Sequence, residues 1–275
     1  MASTTGFDWS VAWEERLSRS NHQARLRSRG ISSEAFWDGF SRWPELHRYT
    51  GYPGKALDCV LKAVDPGTSV LEIGAGDGAF AVPLARAAKR VTAVEPSAGQ
   101  VARLMENAAA AGVKNLTVLR SRWEDVDGPG LGLHDLVLAA YCFQMRDIRS
   151  ALQRMYEAAG RSLFLVHFVD HDLVEALHQV TGDSEAGPDY VFLLNILHEI
   201  GHPASASILT RDYEIPLDLQ LDAFAYSHGL SAEQRGALRR HLESEGKVLS
   251  SGGMLWVRRW YKDAVIRLDK EECYR

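Results

Sequence analysis

The stretch Val70-Leu71-Glu72-Ile73-Gly74-Ala75-Gly76-Asp77-Gly78-Ala79-Phe80 decides the fold. The short apolar run Ser69–Ile73 reads as a buried strand, and the Ala-rich stretch Gly78–Ala88 reads as a helix. Between them glycine recurs at positions 74, 76 and 78. Glycine removes side chains where the backbone must turn sharply, and it lets a ligand lie directly against the chain. In open α/β sheets, ligands bind outside the carboxyl ends of the strands, near the point where strand order reverses. The bland alternative is a tight turn with no ligand, and the strand–turn–helix context argues against it.

Working outward, strands and helices alternate. Strands are expected at Arg90–Val94, Asn115–Leu119, Asp135–Ala140 and Ser162–His167, and helices at Ser97–Ala111 and Asp147–Ala159. Such alternation implies right-handed βαβ crossovers and a parallel sheet covered by helices on both faces. Strands buried on both faces read as continuous apolar runs, as Val137–Ala140 and Leu163–Val166 do. Before the first strand, amphipathic stretches predict helices over Phe7–Arg29, Ser32–Tyr49 and Pro53–Val64, ended by Pro66-Gly67. Beyond the fifth strand, helices are expected at Asp172–Thr181, Pro188–His202, Asp218–His228 and Ala232–Ser244, with extended segments at Ser205–Ile215 and Met254–Tyr261. These late strands are expected to add an antiparallel edge, and His171 and Asp172 to cap the helix that follows them.

The chain has 275 residues, a formal charge of −5, 46% hydrophobic and 24% charged residues, an ordinary globular composition. Mild acidity argues against a protein that grips nucleic acid through its phosphates. Cys59, Cys142 and Cys273 make neither a disulfide framework nor a metal knuckle. No secretory leader and no membrane-length apolar run is visible, so a cytoplasmic protein is expected.

The third glycine comes one position earlier than in a dinucleotide fingerprint, and Glu72 precedes the first. An acid beside the loop repels a pyrophosphate and suits a cation. The pattern acid-x-Gly-x-Gly-x-Gly resembles the first motif of the class I S-adenosylmethionine-dependent methyltransferases. That resemblance implies S-adenosylmethionine as cofactor and S-adenosylhomocysteine as product. It implies that Glu72 helps hold the methionine amino end and that Gly74, Ala75, Gly76 and Gly78 form the turn against the cofactor. Glu95, followed by Pro96 at the end of the second strand, matches the family's ribose-binding acid; alone, it would suit NAD equally well. Ser121–Val126 resembles the adenine-binding segment, with Trp123 covering the base and Glu124 or Asp125 accepting from its amine, although an acidic solvated turn reads the same way. Ala140 is expected beside the cofactor, and Tyr52 is a candidate to close over it from the N-terminal side, or simply a packed aromatic.

The implied fold is Rossmann-like and doubly wound, α/β, with a mostly parallel seven-stranded sheet. An N-terminal helical cap covers residues 1–65, the methyltransferase domain 66–275, and helical inserts lie near 170–203 and 217–245. The fourth strand runs into Tyr141-Cys142-Phe143-Gln144, with neither the Asn/Asp-Pro-Pro-aromatic segment of exocyclic-amine methyltransferases nor a Pro-Cys nucleophile. A small-molecule acceptor methylated on oxygen or nitrogen is therefore expected, rather than RNA or protein. His167, at the end of the fifth strand, is the candidate base, with Tyr141 a wall of the pocket.

A rival motif is His198-Glu199-Ile200-Gly201-His202, a literal His-Glu-x-x-His. On a helix both histidines would face one side, as zinc requires, with Glu199 activating water. The continuation Pro203-Ala204-Ser205 lacks the metzincin third ligand, and the motif follows a parallel α/β unit. A metallopeptidase is thus disfavoured and no metal site is assigned. Asn195, His198 and His202 stay as candidate substrate-pocket residues. The apolar segment Tyr190–Leu197 reads as a lid over the sheet edge or a homodimer contact. The non-enzyme alternative is a regulatory protein that binds S-adenosylmethionine without catalysis.

Overall fold

The computed structural model describes residues 7–43, 45–126, 128–182 and 186–270; Cys273 lies outside them. An eight-stranded sheet is built from β1 (Ser69–Ile73), β2 (Arg90–Val94), β3 (Leu116–Leu119), β4 (His134–Ala140), β5 (Ala159–His171), β6 (Ser205–Pro216), β7 (Val248–Ser251) and β8 (Met254–Asp269). Its order is β3-β2-β1-β4-β5-β8-β6, with β7 paired to β8. The strands from β3 to β5 run parallel, and β8 is antiparallel to both β5 and β6. The expected antiparallel edge is corrected in one respect: the reversed strand β8 is internal, and β6 forms the edge. β7 and β8 make a hairpin through Gly252 and Gly253, whose φ values of 60° and 76° suit a tight reversal.

Successive residues of each strand serve opposite faces. Leu71, Ile73, Val137 and Leu165 point into one core with Trp13, Leu152, Met155, Leu193 and Ile196. Val70, Leu136, Leu138 and Phe164 point into the other with Val60, Phe80, Leu84 and Leu104. The helices on these faces are α1 (Trp9–Arg19), α2 (Asn21–Arg29), α3 (Ser33–Phe40), α4 (Leu46–Thr50), α5 (Gly54–Leu61), α6 (Ala81–Ala87), α7 (Ala98–Ala110), α8 (Gly128–Leu131), α9 (Ile148–Ala158), α10 (Val174–Thr181), α11 (Tyr190–Glu199), α12 (Leu217–His228) and α13 (Ala232–Ser244). A third core joins α10, α12, α13 and Val257 of β8 to Leu46 of the N-terminal cap. The cap is fastened further by the Trp13 indole N–H donating to the Met145 carbonyl (2.9 Å) and the Tyr226 hydroxyl donating to the Phe36 carbonyl (2.7 Å).

Side-chain caps explain where helices differ from the sequence expectation. The single helix expected over Phe7–Arg29 is two, because Ser20 caps α2 by accepting from the Gln23 amide. α6 starts at Ala81 rather than Gly78, since the glycine turn consumes the first residues. β5 continues to His171 because β8 pairs it as far as Tyr261. His171 and Asp172 are therefore not caps: α10 begins after Leu173, and Asp172 instead pairs with Arg259 (2.7 Å) and Lys247 (3.0 Å). The order reverses at β1, which has β2 on one side and β4 on the other, so a crevice opens at their carboxyl ends.

Candidate functional site

A cavity of about 510 Å³ fills that crevice, floored by the turn after β1 and walled by the N-terminal cap. Glu72, 1% exposed, is the charged residue of an otherwise apolar β1, between Ala93 of β2 and Leu138 of β4. Among the described residues its Oε2 has no hydrogen-bond partner. Burial, reinforced by Glu95 and Asp77, raises its pKa well above the usual carboxylate range. A buried carboxylate without a partner is costly, and a cationic ligand arriving beside it removes that cost.

The glycines have distinct tasks, and all three take positive φ (70°, 55° and 87°). A Cβ on Gly74 would stand 2.2 Å from Cys142 Cβ, so the turn after β1 presses on the loop after β4. A Cβ on Gly78 would come within 3.0 Å of Leu104, because α6 is seated on α7. At Gly76 the nearest atom would be Gln100 Oε1 at 4.0 Å, leaving this glycine open to the cavity. The amides of Gly74 and Ala75 donate to the Val94 carbonyl, and the Gly76 amide donates to Glu95 Oε2 (2.8 Å). Glu95, 6% exposed, also accepts from the Ser97 amide (2.9 Å). Burial still raises its pKa against these two amides.

Pro96, Trp123, Glu124, Ala140 and Tyr52 line the same cavity. The Trp123 indole is also a core group, 2% exposed, donating to the Ala151 carbonyl (3.2 Å) beneath the Arg154 guanidinium. Tyr52 contacts the rings of Tyr141 (5.5 Å) and His47 (4.9 Å) at the cap's end of the cavity. Burial, with Glu72 and Asp77 nearby, pushes the Tyr52 phenol well above its usual pKa, so it stays protonated. The cap closes the cavity through Glu34, paired with Arg122 (2.6 Å), and Asp38, which accepts from Ser97 and Gly99 at the start of α7. Cys142 is no nucleophile: burial pushes its thiol pKa up, and its Sγ donates to the Ile73 carbonyl.

Sequence reasoning missed the far wall, formed by Arg211 and Tyr213 of β6 and Tyr261 of β8, with Asp263 behind it. The alternation Arg211-x-Tyr213 in an extended segment was a readable signal for one shared face. That β6 lies against β8, placing Arg211 opposite Tyr261, was not readable.

A second cavity of about 450 Å³ lies beyond the end of β5, and Tyr141 and Gln144 line both cavities. His167 lines only this second one, stacked on Phe143 (5.5 Å) with Nδ1 2.7 Å from the Phe168 carbonyl. Burial lowers its pKa, keeping the imidazole neutral. His22, His171 and His228 line the same cavity, and burial, aided by nearby cations, brings them down to about 4, 3 and 3.

Asn195, His198 and His202 are not brought to either cavity. α11 ends at Glu199, Gly201 takes φ 84°, and His202 turns away to stack on Tyr156 (3.5 Å). His198 is exposed, Glu199 is paired with Arg149, and the Asn195 amide donates to Val191 within the helix. The two histidines share no helical face, and no metal-holding cluster of His, Cys, Asp or Glu occurs among the described residues. α11 buries Leu193, Ile196 and Leu197 against the sheet face and leaves Val191 exposed.

Residues 70–162 match the family model described as a methyltransferase domain. That stretch carries a methyltransferase domain. An uncharacterized protein of Haemophilus influenzae is 28% identical over 231 residues, covering 77% of this chain and 83% of that one. The fold is shared with the YcgJ protein of Bacillus subtilis (TM-score 0.55, 17% identity, 79% of this chain and 99% of that one). It is shared also with the magnesium protoporphyrin IX methyltransferase of Synechocystis, solved with bound S-adenosylhomocysteine (TM-score 0.50, 14% identity, 79% and 82% covered). The residues present here would fit S-adenosylmethionine: an orphaned buried acid, a glycine turn open at Gly76, and an acid at the end of β2.

Proposed function

We propose that this methyltransferase transfers a methyl group to an oxygen or nitrogen of a small-molecule acceptor. When bound, S-adenosylmethionine supplies a methyl group already activated on a sulfonium, so the protein's task is to position the acceptor and remove its proton. Glu72 would hold the methionine ammonium, Glu95 would accept from the ribose hydroxyls, and Trp123 with Glu124 would border the adenine. The observation that carries the acceptor class is the shared wall of Tyr141 and Gln144, which sets the cofactor cavity directly beside a second enclosed space. That space, bordered by Phe143, Phe168 and buried imidazoles, with Arg16 and Arg25 offset by Asp170 and Asp189, is suited to a compact ligand. No helix among the described residues is long and apolar enough to cross a membrane, in keeping with the proposed cytoplasmic location.

The test is to supply the purified chain with methyl-labelled S-adenosylmethionine and extracts separated into small molecules, RNA and protein. Label entering the small-molecule fraction, with stoichiometric S-adenosylhomocysteine, is the expected result. Label confined to RNA or protein would overturn the acceptor class. Cofactor binding with no product in any fraction would favour the regulatory alternative.

A further inference from the structure

Tyr141 is the non-glycine residue with positive φ among the described residues, at 54°. Such a backbone persists in a bulky residue only where its surroundings over-determine it, and it is found at sites of chemistry. Here the surroundings are explicit. The Tyr141 amide donates to the Val166 carbonyl (2.9 Å), and its hydroxyl donates to Asp263 Oδ1 (2.5 Å). Asp263 is 2% exposed, and its other oxygen accepts from Arg211 Nε (2.9 Å). Arg211 also donates to the Thr50 carbonyl in the cap (2.8 Å). The strained residue thus follows β4 directly, stands in the wall common to both cavities, and is wired to a buried carboxylate.

We propose that Tyr141 and Asp263 are the proton-accepting pair of the transfer, Tyr141 Oη taking the acceptor's O–H or N–H proton while passing its own to Asp263. This rests on the methyl-transfer reading above. The acceptor's lone pair forms the new bond to the methyl carbon, and the sulfur–methyl bond breaks with its electrons left on sulfur. The acceptor's bond pair to hydrogen stays on the acceptor as the proton reaches Oη, and the tyrosine proton crosses to Oδ1. One positive charge on sulfur and one negative charge on Asp263 disappear together, so the enclosed site keeps its net charge, which a low dielectric favours. The phenol supplies reach and the carboxylate supplies basicity. Burial, and then Asp263, hold the Tyr141 phenol protonated, as a relay requires. His167, which faces the second cavity with Nδ1 2.7 Å from the Phe168 carbonyl, is the rival for this role and is tested beside the pair.

The experiment compares wild type, Tyr141→Phe, Asp263→Asn and His167→Gln as full-length chains. Catechol and benzylamine serve as probes that must lose a proton, and pyridine as a nucleophile that carries none. Tyr141→Phe and Asp263→Asn should lower kcat on catechol and benzylamine about 100-fold, with KM within about threefold and pyridine methylation unchanged. Calorimetry should find S-adenosylmethionine binding by Tyr141→Phe within about threefold of wild type. In chains labelled at tyrosine Cζ, the NMR resonance missing from Tyr141→Phe should move in Asp263→Asn more than any other. Equal rates in Tyr141→Phe, equal losses with all three probes, or a loss found only in His167→Gln would each overturn the pair while leaving methyl transfer intact. Absence of product from wild type with every probe would instead overturn the small-molecule reading beneath it.

Discussion

Glu95, the residue after β2, accepts a 2.8 Å hydrogen bond from the amide of Gly76 in the turn after β1. Glu95 and the glycine turn are therefore one mechanical unit. Glu95→Ala should weaken S-adenosylmethionine binding by about 2 kcal/mol, the scale of losing hydrogen bonds to a charged acceptor. Isothermal calorimetry at fixed pH checks this, and unchanged affinity would contradict the site.

Glu72 makes a pH prediction whose sign follows from burial. Its carboxyl titrates well above 4.5 in the folded chain and near 4.5 once unfolded. Between those values the folded chain holds the extra proton, so stability is present at low pH and is lost as pH rises through the folded value. Glu72→Gln should remove this dependence. The ligand-free variant should melt higher than wild type at pH 8, with the gap closing toward pH 5, while it binds S-adenosylmethionine more weakly. A constant gap across that range would show that Glu72 does not titrate as described.

Two glycine substitutions should fail for opposite reasons. Gly74→Ala places a Cβ 2.2 Å from Cys142 Cβ at φ 70°, so it should cost about 2–4 kcal/mol of stability from strain and overpacking. Gly76→Ala is strained at φ 55° too, but its Cβ would meet nothing nearer than Gln100 Oε1 at 4.0 Å, so it should lose less stability while weakening cofactor binding. Urea titration paired with calorimetry separates the two, and a reversed ranking would count against the assigned roles.

His198→Ala should change stability by less than about 0.5 kcal/mol, since its side chain is exposed. It should leave cofactor affinity unchanged, and the purified protein should not hold stoichiometric zinc at this motif. His202→Ala should cost more, through the lost stacking on Tyr156 at 3.5 Å. Metal analysis and thermal melts test both statements.

The gathering of the glycine turn and Glu95 around one cavity was legible because its determinants are local. Strand, glycine turn and helix are contiguous, and Glu95 falls where the next strand must end. The acceptor half was not, because its walls meet only through pairing of distant strands: Asp263 reaches Tyr141 across 122 positions and Arg211 across 52. The His-Glu-x-x-His pattern misled in the opposite direction. Its spacing assumes helix through His202, and the chain leaves the helix at Glu199, with Gly201 left-handed two residues later.

By itself, the sequence determined the alternating α/β plan and the glycine turn after β1, since periodicity and glycine placement act over a few residues. It determined equally the acidic positions at 72 and 95. Only the tertiary structure decided that β8 inserts antiparallel between β5 and β6, and that Tyr141 is held between two cavities by a buried aspartate. The reason is physical: backbone conformation is written locally, whereas a charge's partner is chosen by the packing that excludes water from it.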